Sequence, residues 1–149
     1  MKNKKSSNRV IINSEKGQSL VEVAITMTVV IVLLVGAFDF GTAFFYSIAL
    51  KDAAQEGAVY GAINPLDVYG IKNRIRQSSS EPIDLVGDPN MHEPEVSIHG
   101  SPCTGGAVTV ELVYDYQISM PFLGGILGSQ TIPLKASVTN TILSPTCSP

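Results

Sequence analysis

The sequence contains few of the side chains from which catalytic sites are usually built. It has two histidines and two cysteines in 149 residues. His92 and His99 both lie in or near predicted loops, and neither is arranged with a nucleophile as acid–base or covalent catalysis requires. The glycines of "FLGGILG" lack the following Lys-Ser or Lys-Thr of a phosphate-binding loop. The "DFG" at 39–41 has no other kinase motif with it. We therefore expect no enzyme, no cofactor and no metal site.

Charge is also absent from residues 23–38, which are rich in Val, Ile and Leu. Sixteen helical residues would cover about 24 Å, somewhat less than the roughly 30 Å of a hydrocarbon core. The apolar character continues past Asp39 as far as Leu50, with Lys51 as the next charge. This longer stretch is sufficient for a tilted helix. The sequence predicts one transmembrane helix in contact with membrane lipid.

The charges on the two sides of this helix have opposite signs. Residues 1–17 carry five basic residues and one acidic residue, a net of +4, whereas the rest carries five basic and twelve acidic, a net of −7. Positive flanks stay in the cytoplasm. We therefore expect a single-pass protein of the plasma membrane, with a cytoplasmic N-terminus and an exported C-terminus. The acidic exported part also argues against binding to nucleic acid.

A signal peptide is the alternative interpretation of the N-terminal region. The "VGA" at 35–37 loosely fits a signal-peptidase site, and cleavage there would release a soluble secreted protein. The helical pattern, however, continues across that site without a break. This continuity favours a helix that is retained.

The helical pattern extends to Ile63, where Asn64-Pro65 interrupts it, so we expect one helix over residues 18–63. Small residues recur along its second half at a spacing of four. One row consists of Ala49, Ala53, Gly57 and Gly61, and an adjacent row of Ala54, Ala58 and Ala62. Small residues let another backbone approach closely. Two partners are open, namely the chain's own domain and a neighbouring subunit.

Residues 64–149 are predicted to form an exported α+β domain. Asn64 and Pro65 resemble an N-cap and first-turn residue for a short second helix over 65–79. After an irregular connection, three segments have strand character: one around Val96, one over 107–118 and one over 131–142. The expected fold is a long membrane-spanning helix that continues into a small domain with a three-stranded antiparallel sheet.

The register of the last two strands can be proposed from the turn between them. If the hairpin is centred near Gly124-Gly125, paired positions sum to 250. This register places Leu112 opposite Val138, Tyr116 opposite Leu134, Ile118 opposite Ile132, and Asp115 opposite Lys135. It also places Cys103 opposite Cys147.

A disulfide between Cys103 and Cys147 is therefore predicted, as is typical of an exported domain. It would close a loop of about 45 residues and contribute roughly 4 kcal/mol in the chain-entropy model. A metal site is the competing interpretation of the two cysteines. It is the weaker one, because no histidines converge with them.

One carboxylate, Glu22, lies inside the apolar segment, where a charge costs a few kcal/mol. The surrounding "KGQSLVEVAI" resembles the cleavage region of a type IV prepilin. The resemblance implies that a prepilin peptidase cuts between Gly17 and Gln18, which makes Glu22 the fifth residue. An ammonium and a carboxylate from adjacent subunits would each relieve the other's desolvation. The alternative is an interfacial carboxylate at a helix start, stabilised by the helix dipole.

The sequence beyond Glu22 extends this resemblance. "GQSLVEVAI" followed by "DFGTAFFYSIALKDAAQEGAVYGA" resembles the TadE-like family, minor pilins or pseudopilins of the tight-adherence (Tad/Flp) pilus system. The similarity covers about residues 17–62, and "MPFLGGILGSQTIPLKASVT" resembles the C-terminal half of that family. Asp39, Gly41, Glu56 and Gly57 match the helix motif of the family, without an assigned role. The sequence departs from the family in that Thr42 and Gln55 stand where relatives commonly have Arg, and Gln18 stands in place of Phe.

The resemblance implies a part in pilus assembly, adherence or secretion. The implied partners are a prepilin peptidase, other pilin or pseudopilin subunits and the Tad secretion platform, and the implied final location is an extracellular pilus. The implied organisation is a cleaved leader over 1–17, a helix over 18–63 and an exported domain over 64–149. The alternative is a single-pass anchor that is never cleaved and displays an adhesive or interaction domain.

Overall fold

The computed structural model describes residues 15–78, 84, 87–120, 124–125 and 128–144. Two helices come first, α1 (Glu15–Ile63) and α2 (Val68–Ser78), and three strands follow, β1 (Glu95–His99), β2 (Ala107–Gln117) and β3 (Thr131–Thr141). The strands form one antiparallel sheet in the order β1-β2-β3. The predicted α+β class, with a long apolar helix before a small three-stranded sheet, is confirmed. The chain divides into two compact units, residues 1–36 and 37–149.

The described part of the first unit is the N-terminal portion of α1. Every residue from 17 to 34 is exposed, including the large apolar side chains. Among the helices that the structure describes, one is long and apolar enough to cross a membrane, and its apolar segment lies within Gly17–Ile63. Helix α1 could therefore span a bilayer, as the sequence predicts.

The second unit is built around β2, its central strand. Alternate β2 residues and the next residue beyond the strand are buried, as predicted: Val108, Val110, Leu112, Tyr114, Tyr116 and Ile118. The sheet shares one hydrophobic core with α1 and α2, which contribute Leu50, Ala54, Ala58, Ile71 and Ile75. The strands form because β-branched and aromatic residues alternate with polar ones, so one face of the pleat is apolar.

The predicted register between β2 and β3 is wrong by two residues. Leu112 lies opposite Ala136, Tyr116 opposite Ile132, and Asp115 opposite Pro133, so that paired positions sum to 248. Side chains alternate with a period of two, so a slip of two residues keeps every residue on its own face. The hydrophobic pattern therefore fixed the faces of β3 and left its register open. The predicted pair Asp115–Lys135 does not form, because Lys135 lies opposite Val113.

The predicted start of α2 is also wrong. Asn64 and Pro65 belong to a turn in which the Asp67 amide donates to the Asn64 carbonyl at 3.2 Å. The cap is Asp67, whose carboxylate accepts from the amide of Gly70 at 2.9 Å. This is the N-cap to N3 geometry that satisfies an orphan donor of the first turn. Because Asp67 also accepts from the Tyr60 hydroxyl at 2.9 Å, it ties α2 to the end of α1.

Residues 87–92 are attached to the edge of the hydrophobic core beside β2. The Asp115 amide donates to the Asn90 carbonyl at 2.9 Å, and the Tyr114 hydroxyl donates to the Asp88 carboxylate at 2.9 Å. Burial raises the pKa of Asp88, but hydrogen bonds from the Asn90 amide, the Tyr114 hydroxyl and the Asn90 side chain outweigh it and lower the pKa below its usual value. Asp88 therefore stabilises the fold in its charged form.

This carboxylate should make the second unit less stable in acid. A depressed carboxyl pKa contributes stability above the unfolded-state pKa, and that stability is lost as the pH falls through the folded-state pKa. We expect Asp88→Asn to cost about 1 kcal/mol at neutral pH and almost nothing once the Asp88 carboxyl of the wild type is protonated. Thermal unfolding of the two proteins at neutral and at acid pH measures this difference. A constant difference across the pH range would contradict it.

Candidate functional site

The predicted assembly residue Glu22 lies on an exposed strip of α1. Gln18, Glu22 and Thr26 follow one another at a spacing of four, so they share one face of the helix. Together with Gly17, Val21 and Ile25 they line a shallow groove. Within the described residues, the Glu22 carboxylate makes no hydrogen bond and no ion pair. It is therefore available to a group that comes from outside this part of the chain.

The predicted cleavage site lies at the start of the same groove. Gly17 and Gln18 are both exposed and helical, and a Cβ added at Gly17 would meet no atom within 4 Å. Cleavage between them stays a prediction.

The small-residue row on α1 lies against the chain's own domain. Ala53, Gly57 and Gly61 are buried, and Ala49 is half-buried. A Cβ at Gly57 would lie 2.5 Å from Cγ1 of Ile75, and one at Gly61 would lie 3.1 Å from Cδ1 of Ile71. The adjacent row of Ala54, Ala58 and Ala62 is buried as well. Of the two partners that the sequence left open, α2 and the sheet of the same chain occupy these rows.

The close approach at Gly57 leads to a stability prediction. Inserting a side chain into a packed core costs about 3 kcal/mol at the upper end of the usual range, and leucine regains about 1 kcal/mol through its better helix propensity. We expect Gly57→Leu to lower the free energy of unfolding in detergent by about 2 kcal/mol. Gly41→Leu is the matched control, because a Cβ there would meet nothing within 4 Å. Equal stability of the two variants would contradict the packing described.

Asp39 is a structural residue whose role sequence reasoning missed. It lies in the apolar part of α1, yet its side chain turns inward and the residue is only 7% exposed. Its carboxylate accepts from the backbone amide of Met120 at 3.1 Å and from that of Ser119 at 3.4 Å. Ser119 and Met120 lie two and three residues beyond the end of β2, so Asp39 attaches the chain at the end of that strand to α1.

Two hydroxyl groups complete this contact. The Tyr116 hydroxyl donates to the backbone carbonyl of Asp39 at 3.3 Å and is also hydrogen-bonded to the Thr42 hydroxyl. The Thr42 hydroxyl oxygen also lies 3.0 Å from the Asp39 carbonyl oxygen. Thr42 is one of the two positions at which relatives commonly have Arg. Here its hydroxyl is hydrogen-bonded to Tyr116 on the sheet. The sequence signal for this role of Asp39 was a single carboxylate within an apolar segment. The amides that donate to it, however, lie about eighty residues away along the chain.

Glu56, another residue of the family motif, has a weaker contact. Its carboxylate lies 3.8 Å from Arg74 on α2, and both side chains are 56% exposed. Exposed pairs of this kind contribute at most about 1 kcal/mol. Glu56 therefore adds little to the attachment of α2.

Only one cysteine of the predicted disulfide lies in the described structure. Cys103 is buried, and its loop is tied to the chain after β3 by the Thr104 amide, which donates to the Ser144 carbonyl at 3.0 Å. Cys147 lies outside the described residues. The bridge therefore stays a prediction. The register from which it was predicted is wrong, but the hydrogen bond from Thr104 to Ser144 brings the two chain segments together and supports it.

No group of three or more His, Cys, Asp or Glu residues in the described ranges could hold a metal ion. The ring of His92 lies 3.0 Å from the Asp115 carboxylate on the surface, and that of His99 lies 3.3 Å from the Ser97 hydroxyl. Both histidines are exposed.

The helix that carries Glu22, Asp39 and Gly57 can be compared with known families. Residues 17–59 match the family model of TadE-like proteins. The predicted resemblance is thereby confirmed for this segment, which starts at the predicted cleavage site. The TadE-like family is a pilus-associated family without enzymatic activity. Comparison with curated proteins gives no match, and neither does comparison with solved structures.

Proposed function

We propose that this chain is a minor pilin or pseudopilin that takes part in assembly of a Tad-type pilus for adherence or secretion. In this proposal a prepilin peptidase removes residues 1–17, and the protein then joins other pilin subunits at the Tad secretion platform. The observation that carries the proposal is the exposed Glu22 carboxylate, which has no partner in the described chain and lies in the segment that matches TadE-like proteins.

The role of Glu22 follows from the cost of burying charge. A carboxylate within a bilayer is unfavourable by about 3 kcal/mol on insertion scales. An ammonium group at Gln18 of an adjacent subunit would relieve this cost by forming an ion pair. Such a pair forms in only one register of the two helices, so it would both favour addition of a subunit and position it. Gly17 and Gln18 supply this amine only if the chain is cut between them.

The location follows from the charge distribution. The net charge of +4 over residues 1–17 favours a cytoplasmic N-terminus, and α1 would then carry the sheet domain to the outer side of the plasma membrane. From there the mature subunit would enter the pilus.

A second function is an uncleaved, single-pass anchor that displays the sheet domain for adhesion or interaction. One observation favours it: the small-residue rows on α1 are occupied by the chain's own α2 and sheet. A neighbouring subunit would therefore have to pack elsewhere. The exposed apolar side chains of residues 20–34 remain for this purpose.

Blocking cleavage distinguishes the two functions. Gly17→Leu should keep the chain at full length in the membrane, whereas the wild type should lose 17 residues and appear in surface filaments released by shearing. Gly41→Leu is a suitable control, because neither glycine has an atom within 4 Å of an added Cβ. A wild type that stays at full length and behaves like Gly17→Leu would support the uncleaved anchor.

A further inference from the structure

One edge of the sheet, formed by β3, has open backbone groups. The Ile118 amide donates to Gln130 and the Ile142 amide to Gly106, so the even-numbered residues of β2 and β3 hydrogen-bond to each other. The odd-numbered residues of β3 therefore direct their amides and carbonyls away from β2. From 135 to 141, none of these outward groups has a hydrogen-bond partner among the residues that the structure describes. The strand thus offers a free edge to another strand.

The opposite edge of the sheet, formed by β1, is open as well. Since the even-numbered residues of β2 face β3, its odd-numbered residues face β1 and pair with the odd-numbered residues there. The backbone groups of Val96 and Ile98 are left to face outward. They too lack a hydrogen-bond partner in the described part of the chain. A strand could therefore be added on this side of the sheet also.

The two edges carry charges of opposite sign. Glu95 is the one Asp, Glu, Lys or Arg residue of β1, and Lys135 is the one in β3. Both residues are exposed, and neither forms an ion pair with another described residue. Glu95 also lies opposite Glu111 on β2, and like charges directly opposite each other destabilise a sheet. A positive charge beside Glu95 would relieve this repulsion.

The two edges also match in direction and level. Strands β1 and β3 both run antiparallel to β2, so they are parallel to each other, and Glu95 and Ser137 lie level because both lie opposite Glu111. When the β1 of a second copy is placed beside β3 at this level, Ser97 of the second copy lies opposite Thr139. The outward amides of each strand then meet the outward carbonyls of the other, as a parallel ladder requires. Odd-numbered side chains of both strands stay on the same face of the sheet.

We infer that β3 of one copy of this chain pairs in parallel with β1 of a second copy, so that one sheet continues from copy to copy. The charges select this pairing, because it places Lys135 diagonally across from Glu95 of the second copy. Pairing of β3 with β3 would bring together only positive charges, and pairing of β1 with β1 only negative ones. The contact is head-to-tail, a kind that can repeat along a filament. The inference rests on the proposed insertion of α1, which orients all copies alike, and requires no cleavage.

Disulfide cross-linking between full chains tests this pairing. Two forms with different epitope tags, one carrying Thr139→Cys and the other Ser97→Cys, are produced together in host membranes and oxidised. Neighbouring strands lie about 5 Å apart, a spacing that a disulfide can bridge. We expect a cross-linked dimer that contains both tags, and none from either form alone or from the wild type. Tyr69→Cys in place of Ser97→Cys is the control, because Tyr69 is 79% exposed but lies on α2.

Charge reversal tests the selection of the partner. Lys135→Glu in the form with Thr139→Cys should lower the yield of cross-linked dimer about fivefold, and Glu95→Lys in the other form should restore it. The same results are expected when both forms also carry Gly17→Leu, so a failure of the proposed cleavage would leave them unchanged. A dimer from Thr139→Cys alone would show that β3 pairs with β3 and would overturn the inference. The absence of a mixed dimer, or an equal yield with Tyr69→Cys, would overturn it too.

Discussion

Glu22→Ala should reduce the chain in sheared surface filaments to background and leave its amount in the membrane unchanged. The alanine removes a charge that opposes insertion, so the helix should insert at least as well as before. It also leaves the amine of the neighbouring subunit buried without a partner, which costs about 3–5 kcal/mol. This corresponds to a loss of about two to four orders of magnitude in the equilibrium for adding a subunit. Quantitative immunoblots of filament and membrane fractions measure both effects.

Glu56→Ala provides the control for this substitution. Glu56 is on the same helix, but it is exposed, and its ion pair with Arg74 in the described part of the chain is long, at 3.8 Å. Its replacement should leave the filament fraction close to the wild-type level. Filaments that contain Glu22→Ala at the wild-type level would rule out the role of this carboxylate, even if the chain is cleaved.

Asp39→Ala should lower the free energy of unfolding of the second unit by about 3 kcal/mol. Two backbone amides, those of Ser119 and Met120, lose the carboxylate that accepts their hydrogen bonds. The amide hydrogens of these two residues should also exchange much faster with solvent. Thermal unfolding in detergent and hydrogen exchange measure the two effects independently.

Two further variants separate the contact from the charge. Asp52→Ala removes an exposed carboxylate from the same helix and should change stability by less than about 0.5 kcal/mol. Asp39→Asn keeps an oxygen acceptor and should show about half of the alanine effect. Unchanged exchange at Ser119 and Met120 in Asp39→Ala would contradict the proposed attachment of the strand end.

Local patterns were sufficient to predict the elements of the fold. Alternation along β2 identified the buried face from Val108 to Ile118, because a strand with one packed side has a period of two. The break in the helical pattern at Asn64-Pro65 correctly ended α1 at Ile63. Charge and hydropathy identified the apolar part of α1 as a candidate membrane span.

Long-range contacts account for what the sequence did not reveal. The β2–β3 register depends on the connection between these strands, and a two-residue slip preserves the apolar pattern. Asp67 was overlooked as a cap because Asn64-Pro65 offers an equally good local signal three residues earlier. The role of Asp39 could not be predicted, because the amides that it accepts belong to a distant part of the chain.

The most direct test of the account is the N-terminal sequence and intact mass of the protein isolated from host membranes without reduction. The account predicts a chain that starts at Gln18, with a mass lower by two hydrogen atoms than that of the free thiols because Cys103 and Cys147 are bridged. A chain that starts at Met1 would lack the amine that Glu22 requires and would contradict the account.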